Sequence, residues 1–190
     1  MKVGIIYLLF SFLFIDEAAR VDKSTSSYIE NMIEWRPDRK LTWDDYKGTP
    51  NTESPFNAES SLQISYGMSI RDDGRGIKIK FDVKCSFDID ESWVKPGSKS
   101  DRLLKHEQLH FDIAEIYARK LRLKLEKNTF DAKNYQKKSQ SIFQENFDEY
   151  TRFQDKYDEE TNHGLKQDIQ ELWDARISKA LEDSKKYQKK

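Results

Sequence analysis

The residues best suited to chemistry are His106, Glu107 and His110, which stand close together in the sequence. They form an HExxH pattern in a segment whose apolar residues recur at helical spacing. Residues four apart lie one turn apart on the same helix face, so both histidines can direct an imidazole nitrogen at one metal ion. Glu107 is rotated by about 100° from His106 and can reach a water molecule at the metal. The pattern predicts a zinc site of the metallopeptidase type with Glu107 as general base.

A third metal ligand must come from elsewhere in the chain, because a protein zinc site normally has three or four ligands. His163 is the one remaining histidine, and it lies beside Gly164 at the break between two helical patterns. We therefore expect His163 to bind the metal, since imidazole suits zinc. The alternatives are carboxylates, which can bind zinc or hold a histidine's other ring nitrogen from behind. These carboxylates belong to Asp158, Glu160, Glu145 and Glu149.

A β-hairpin is the first element expected to support this site. Apolar residues alternate with polar residues or glycine over residues 62–70 and 77–89, and the linking residues 71–76 contain turn-forming aspartates and glycines. This pattern favours two antiparallel strands with one buried and one wet face. Cys85 falls on the apolar face, which predicts a buried, unreactive thiol. Residues 20–60 contain prolines and glycine and are expected to wrap irregularly over the core.

Three helical patterns follow the hairpin. The first begins after Ser98 or Ser100, either of which can cap it, and continues to about residue 127. The second covers roughly residues 132–157 and the third roughly residues 165–187. The sequence therefore predicts the α+β fold class, with a small antiparallel β-sheet packed on three long helices and a zincin-like active-site helix.

Composition and charge narrow the class of protein. The 190 residues include 33 basic and 34 acidic ones, for a net charge of -1, and no basic face stands out, so we expect no nucleic-acid partner. Residues 3–15 are uncharged and resemble a secretory signal, and they are too short to span a bilayer as a helix. We expect residues 1–19 to be a signal peptide and residues 20–190 to form one domain, secreted or periplasmic and without a stable membrane span.

Several segments together resemble a bacterial family of predicted secreted zinc-dependent proteases, a domain family of unknown function. The matching segments are residues 39–46, 92–94, 106–115, 118–121 and 157–164. The resemblance covers about residues 35–181 and implies a zincin-like fold, a zinc cofactor and protease activity. It does not indicate a particular substrate.

The expected function is hydrolysis of a peptide or related amide bond outside the cytoplasm, with a peptide or protein as substrate and Zn²⁺ as cofactor. Glu107 would take a proton from the attacking water and pass it to the leaving amine. Two other classes stay open. One is a non-catalytic zinc-binding protein, which would not require Glu107. The other is a secreted interaction module in which the HExxH pattern is accidental.

Overall fold

The computed structural model describes residues 31–72, residue 74 and residues 76–189. The expected signal peptide, residues 1–19, lies outside this part of the chain. Within these residues, three helices and two small antiparallel sheets form an α+β architecture, which confirms the predicted fold class. Across the described residues, every helix is too short or too polar to cross a bilayer.

Two antiparallel sheets contain all the strands of the described residues. The larger has three strands, and the predicted hairpin provides its centre and one edge. Its register runs from Leu62 opposite Phe87 to Asp72 opposite Ile77. The strands are β1 (Met32–Glu34), β2 (Ala58–Glu59), β3 (Leu62–Asp72), β4 (Ile77–Asp88) and β5 (Trp93–Val94). The sheet order is β1-β4-β3, and β2 pairs with β5 in a separate two-stranded sheet.

The hairpin buries its apolar face as the alternation predicts. Val83, Cys85 and Phe87 are buried, and Cys85 is a free thiol as expected. The second face is solvent-exposed along most of β4. At the C-terminal end of β4, however, Ser86 and Asp88 on this face are also buried. The reason is that β1 pairs with this end of β4 and the following turn folds back onto it.

The helices lie close to their predicted positions. They are α1 (Asp101–Lys127), α2 (Tyr135–Thr161) and α3 (Gln167–Asp183), and a 3-10 turn (Lys185–Tyr187) follows. Ser100 caps α1, since its hydroxyl accepts a hydrogen bond from the backbone N–H of Leu103. α2 continues for one turn beyond its predicted end, and this extra turn contains residues that face α1. α1 is buried along most of its middle, because it packs against the hairpin as well as against both other helices.

The segment before the hairpin is less irregular than predicted. It contributes β1 to the large sheet and a 3-10 turn (Trp43–Asp45). Polar residues of α1 hold this segment: Trp35 Nε1 donates to Asp112 at 2.7 Å, and the backbone N–H of Leu41 donates to Gln108 at 2.7 Å. Gln108 is one of the two middle positions of the HExxH pattern, so this pattern also anchors the backbone at Leu41, which lies after β1.

Candidate metal centre

The two histidines of α1 meet an aspartate of α2. His106 Nε2 and His110 Nε2 lie 3.1 Å apart. Asp158 Oδ1 lies 3.1 Å from the first nitrogen and 3.0 Å from the second. Among the described residues, these three side chains form the group that converges closely enough to hold one metal ion. The spacing of four residues therefore places both imidazoles on one face of the helix, as the sequence predicts.

The dimensions of this group suit a tetrahedral metal ion. Zinc binds imidazole nitrogen at about 2.0–2.1 Å, so two ligand atoms of a tetrahedral site lie about 3.3 Å apart. The three edges of the triangle formed by His106, His110 and Asp158 are within a few tenths of an ångström of that value.

His106 is fixed from behind by α3. Its Nδ1 lies 3.1 Å from Gln170 Oε1, and Gln170 Nε2 donates to Asp174 at 3.0 Å, which fixes the orientation of the amide. Tyr157 OH donates to the same Oε1 at 2.9 Å, and its ring stacks on His106. The amide oxygen can only accept, so Nδ1 carries the proton and Nε2 is left as an acceptor.

His110 has a matching partner on α2. Its Nδ1 lies 2.8 Å from Gln154 Oε1, and Gln154 Nε2 donates to the backbone carbonyl of His110 at 3.1 Å. The same reasoning makes Nε2 of His110 an acceptor when the ring is neutral. Two imidazole nitrogens and one carboxylate oxygen thus converge as three acceptors, which repel one another unless a proton or a metal ion lies between them.

The pKa values of His110 and Asp158 agree with a positive charge between the three acceptors. Burial alone would lower the pKa of His110, but the Asp158 carboxylate, with Glu107 and Gln154, raises it to about 9. Burial likewise tends to raise the pKa of Asp158, yet the imidazoles of His110 and His106 hold it well below its usual range. In the metal-free protein, a proton on His110 supplies the positive charge between the three acceptors. A bound metal ion would displace that proton.

Glu107 lies on the side of α1 that faces β2. Only 5% of the residue is exposed, and its Oε2 accepts a hydrogen bond from Ser60 Oγ at 2.7 Å. Ser60 Oγ also pairs with Tyr46 OH at 2.8 Å. Burial, followed by the nearby charge of Glu107, raises the pKa of Glu59 on β2. The carboxylate is therefore oriented by a short chain of hydroxyls and remains outside the group of three acceptors.

His163 lies beside the group of three acceptors. Its Nδ1 is 3.4 Å from Asp158 Oδ1, and its ring packs 4.8 Å from the ring of Phe56, measured between centroids. The side chain is 39% exposed, whereas that of His106 is almost fully buried. The assignment of His163 as third ligand stays a prediction, and the structure brings Asp158, the first carboxylate alternative, into closer contact with both other histidines.

The remaining carboxylate alternatives are engaged elsewhere. Glu160 accepts a hydrogen bond from Trp173 Nε1 at 2.9 Å, and Glu149 pairs with Lys124 at 2.9 Å. Glu145 accepts a hydrogen bond from the Ser141 hydroxyl at 3.3 Å.

Three supporting residues were not anticipated from the sequence, namely Ser60, Gln154 and Gln170. Each is an uncharged polar residue in a segment rich in such residues, and no spacing rule singles it out. Gln154 and Asp158 do share the i, i+4 spacing that places both on one face of α2, and this spacing is the one sequence signal that points to any of the three residues.

The fold and the site together define an α+β protein with a candidate metal centre, formed by two histidines of one helix and an aspartate of the next. The chain belongs to a family described as bacterial protein of unknown function (DUF922), whose model matches residues 39–164. The matched region contains the hairpin, all of α1 and α2, and the turn with His163. No curated protein and no solved structure matches the chain. The resemblance is confirmed as membership of a bacterial family, and the zinc-protease activity it implies stays a prediction.

Proposed function

We propose that the protein is a secreted zinc-dependent hydrolase that cleaves peptide or related amide bonds. The observation that carries this proposal is the convergence of three acceptor atoms from His106, His110 and Asp158 next to the buried carboxylate of Glu107. Two imidazoles and one carboxylate form a ligand set typical of catalytic zinc, and three protein ligands leave the fourth tetrahedral position open. A zinc ion held by these residues would supply Lewis-acid chemistry and would activate a water molecule near neutral pH.

Glu107 is the residue that we assign as general base. Its Oε2 is held by the Ser60 hydroxyl at 2.7 Å, and its Oε1 makes no hydrogen bond with any residue of the described part of the chain. One oxygen is thus fixed and the other is available to accept a proton from the attacking water. The same carboxyl group can then donate that proton to the leaving amine.

Tyr157 supports the site as a positioning residue. The hydroxyl donates to Gln170 Oε1 at 2.9 Å and also lies 3.2 Å from the backbone carbonyl of His106, and the residue is fully buried. The hydroxyl is therefore engaged in holding His106 and Gln170 together.

A second candidate function is a non-catalytic zinc-binding protein. The observation in its favour is that His163 Nδ1 lies only 3.4 Å from Asp158 Oδ1. If His163 joined the other three ligands, the tetrahedral site would be closed, as in structural zinc sites.

Metal analysis and a hydrolysis assay on the purified protein separate these functions. We expect about one zinc ion per chain in the wild type and none in a His106→Ala/His110→Ala double variant. We also expect the zinc-loaded wild type to cleave a degenerate library of quenched fluorescent peptides. Zinc binding without cleavage would favour the structural role, and absence of zinc binding would contradict both.

A further inference from the structure

A small pocket of about 100 Å³ lies next to the candidate metal centre. Ser98 and Arg102, at the start of α1, line one wall. Asn57 lines a second wall, and His163 and Gly164, in the turn between α2 and α3, line a third. The pocket is thus formed where three separate parts of the chain meet.

The walls of this pocket offer hydrogen-bond donors and positive charge. Arg102 is exposed, and its guanidinium makes no hydrogen bond or ion pair with residues that the structure describes. Asn57 Oδ1 accepts a weak hydrogen bond from Ser98 Oγ at 3.4 Å, and the side-chain N–H groups of Asn57 make no hydrogen bond with the residues that the structure describes. No aspartate or glutamate lines the pocket within the same part of the chain. Such walls favour an anionic group.

Two residues that line the pocket contact proposed metal ligands. A Cβ atom added to Gly164 would lie 3.0 Å from His106 Cγ, and His163 Nδ1 lies 3.4 Å from Asp158 Oδ1. A substrate side chain or chain end in the pocket would therefore belong to a residue at or next to a bond positioned over the metal.

We propose that this pocket is a specificity subsite that binds a carboxylate of the substrate through Arg102 and the side-chain amide of Asn57. A planar guanidinium with unsatisfied donors matches a carboxylate, which can accept two parallel hydrogen bonds. The small volume selects a short acidic group, either an aspartate side chain or a terminal carboxylate. The proposal rests on the proposed hydrolase function, since it places the pocket beside a zinc ion.

Binding of three probes to the zinc-loaded protein tests the subsite without turnover. Each probe is a dipeptide that carries a zinc-chelating hydroxamate. The first has an aspartate side chain and an amidated end, the second an asparagine and a free terminal carboxylate, and the third an asparagine and an amidated end. Calorimetry on wild type should show one of the two acidic probes binding about fivefold more tightly than the neutral one, as for an exposed charge pair.

Arg102→Gln should abolish this preference while the affinity for the neutral probe stays unchanged. Arg71→Gln, at the exposed end of β3, alters the net charge equally and should keep the preference.

The probe that is preferred identifies the source of the carboxylate. Equal affinities for all three probes in wild type, a preference that survives Arg102→Gln, or absence of binding would overturn the proposal. If the protein prefers a carboxylate probe but cleaves no peptide, the proposed hydrolase function is contradicted and the carboxylate-binding pocket is retained. If it cleaves peptides but shows no such preference, the pocket proposal is contradicted and the hydrolase function is retained.

Discussion

The two imidazoles of the candidate metal centre are held from behind by glutamine amides. Gln170 and Gln154 accept the Nδ1 protons of His106 and His110 at 3.1 and 2.8 Å. An amide fixes the tautomer as a carboxylate would but adds no negative charge. Asp158 is then the one formal negative charge among the three proposed ligands, so a bound zinc ion keeps a net positive charge, which favours its action as a Lewis acid.

The role of Glu107 is tested by Glu107→Gln, which keeps size and hydrogen bonding but removes the ability to accept a proton. We expect the variant to retain zinc and to lose activity by about a hundredfold or more, the usual contribution of a general base. Activity on the quenched peptides and zinc content are measured together. Ser60→Ala is the companion variant, with a smaller loss expected because the carboxylate remains. Full activity in Glu107→Gln would remove this residue from the mechanism.

The third ligand is tested by comparing Asp158→Asn with His163→Ala. From the sequence alone, His163→Ala is expected to have the larger effect on zinc affinity. From the geometry, we expect Asp158→Asn to weaken zinc binding strongly, because Asp158 Oδ1 contacts both other histidines. His163→Ala should then lower affinity by less, about tenfold, which is the lower end of the cost of losing a residue that supports a ligand.

Zinc retention during chelator titration measures this difference, with folding checked by circular dichroism. Glu160→Ala is a suitable control, since its carboxylate accepts a hydrogen bond from Trp173 instead of facing the metal centre. If His163→Ala loses zinc and Asp158→Asn does not, the geometric assignment is wrong and the histidine assignment is correct.

At the scale of elements, the turn between α2 and α3 shapes the site through an unusual backbone. Asn162, His163 and Gly164 all have positive φ, at 50°, 53° and 75°. The left-handed conformation costs most residues about 1–2 kcal/mol, and asparagine and glycine tolerate it best. The turn brings the backbone of Gly164 against the imidazole of His106, where a side chain would not fit.

Gly164→Ala tests this close approach. The added methyl would lie 3.0–3.1 Å from three atoms of the His106 side chain. We expect it to displace the imidazole, to weaken zinc binding and to lower stability by more than the conformational cost alone. Gly97→Ala is the matched control, because Gly97 has a similar φ of 79° but open space around it. Gly97→Ala should lower the free energy of unfolding by about 1–2 kcal/mol and leave zinc affinity unchanged. Equal effects of both variants on zinc affinity would contradict the proposed contact.

At the scale of the whole molecule, the candidate metal centre links α1, α2 and α3. α1 provides two ligands, α2 provides Asp158 and Gln154, and α3 provides Gln170 behind His106. A zinc ion that binds only the folded protein should therefore raise its stability by mass action. The expected gain is about 2.7 kcal/mol at a free zinc concentration one hundred times Kd.

Thermal unfolding with zinc and with excess chelator measures this gain. The His106→Ala/His110→Ala variant is the control, and its unfolding temperature should not respond to zinc. An identical unfolding temperature for wild type in both conditions would contradict a metal centre shared by the three helices.

Export is the second prediction at this scale. Residues 3–15 carry no charge and follow a basic residue, a pattern typical of a secretory signal. In its native host, the mature protein should lack about the first 15 to 25 residues. Intact-mass measurement of protein isolated outside the cytoplasm checks this. Recovery of soluble cytoplasmic protein that retains Met1 would contradict the prediction.

Local sequence patterns determined the hairpin, the three predicted helices and two of the three proposed ligands. The alternation around Cys85 specified the hairpin because strand side chains point to opposite faces in turn. Ser98 or Ser100 marked the start of α1, and Ser100 is the residue whose hydroxyl binds a backbone N–H three residues later. His106 and His110 were predicted to meet because four residues make about one helical turn. Each of these interactions lies within a few residues along the chain.

Only the tertiary structure decided which distant groups complete the site. Asp158 lies 48 residues from His110, and Gln170 lies 64 residues from His106. No periodicity connects such positions, because their contact depends on how α2 and α3 pack on α1. The same holds for β1, a three-residue strand too short to show alternation, which is stabilised by pairing with β4. Asp158 and His163 both carry groups that can bind zinc, and the packing of α2 on α1 is what brings the carboxylate closer to the two histidines.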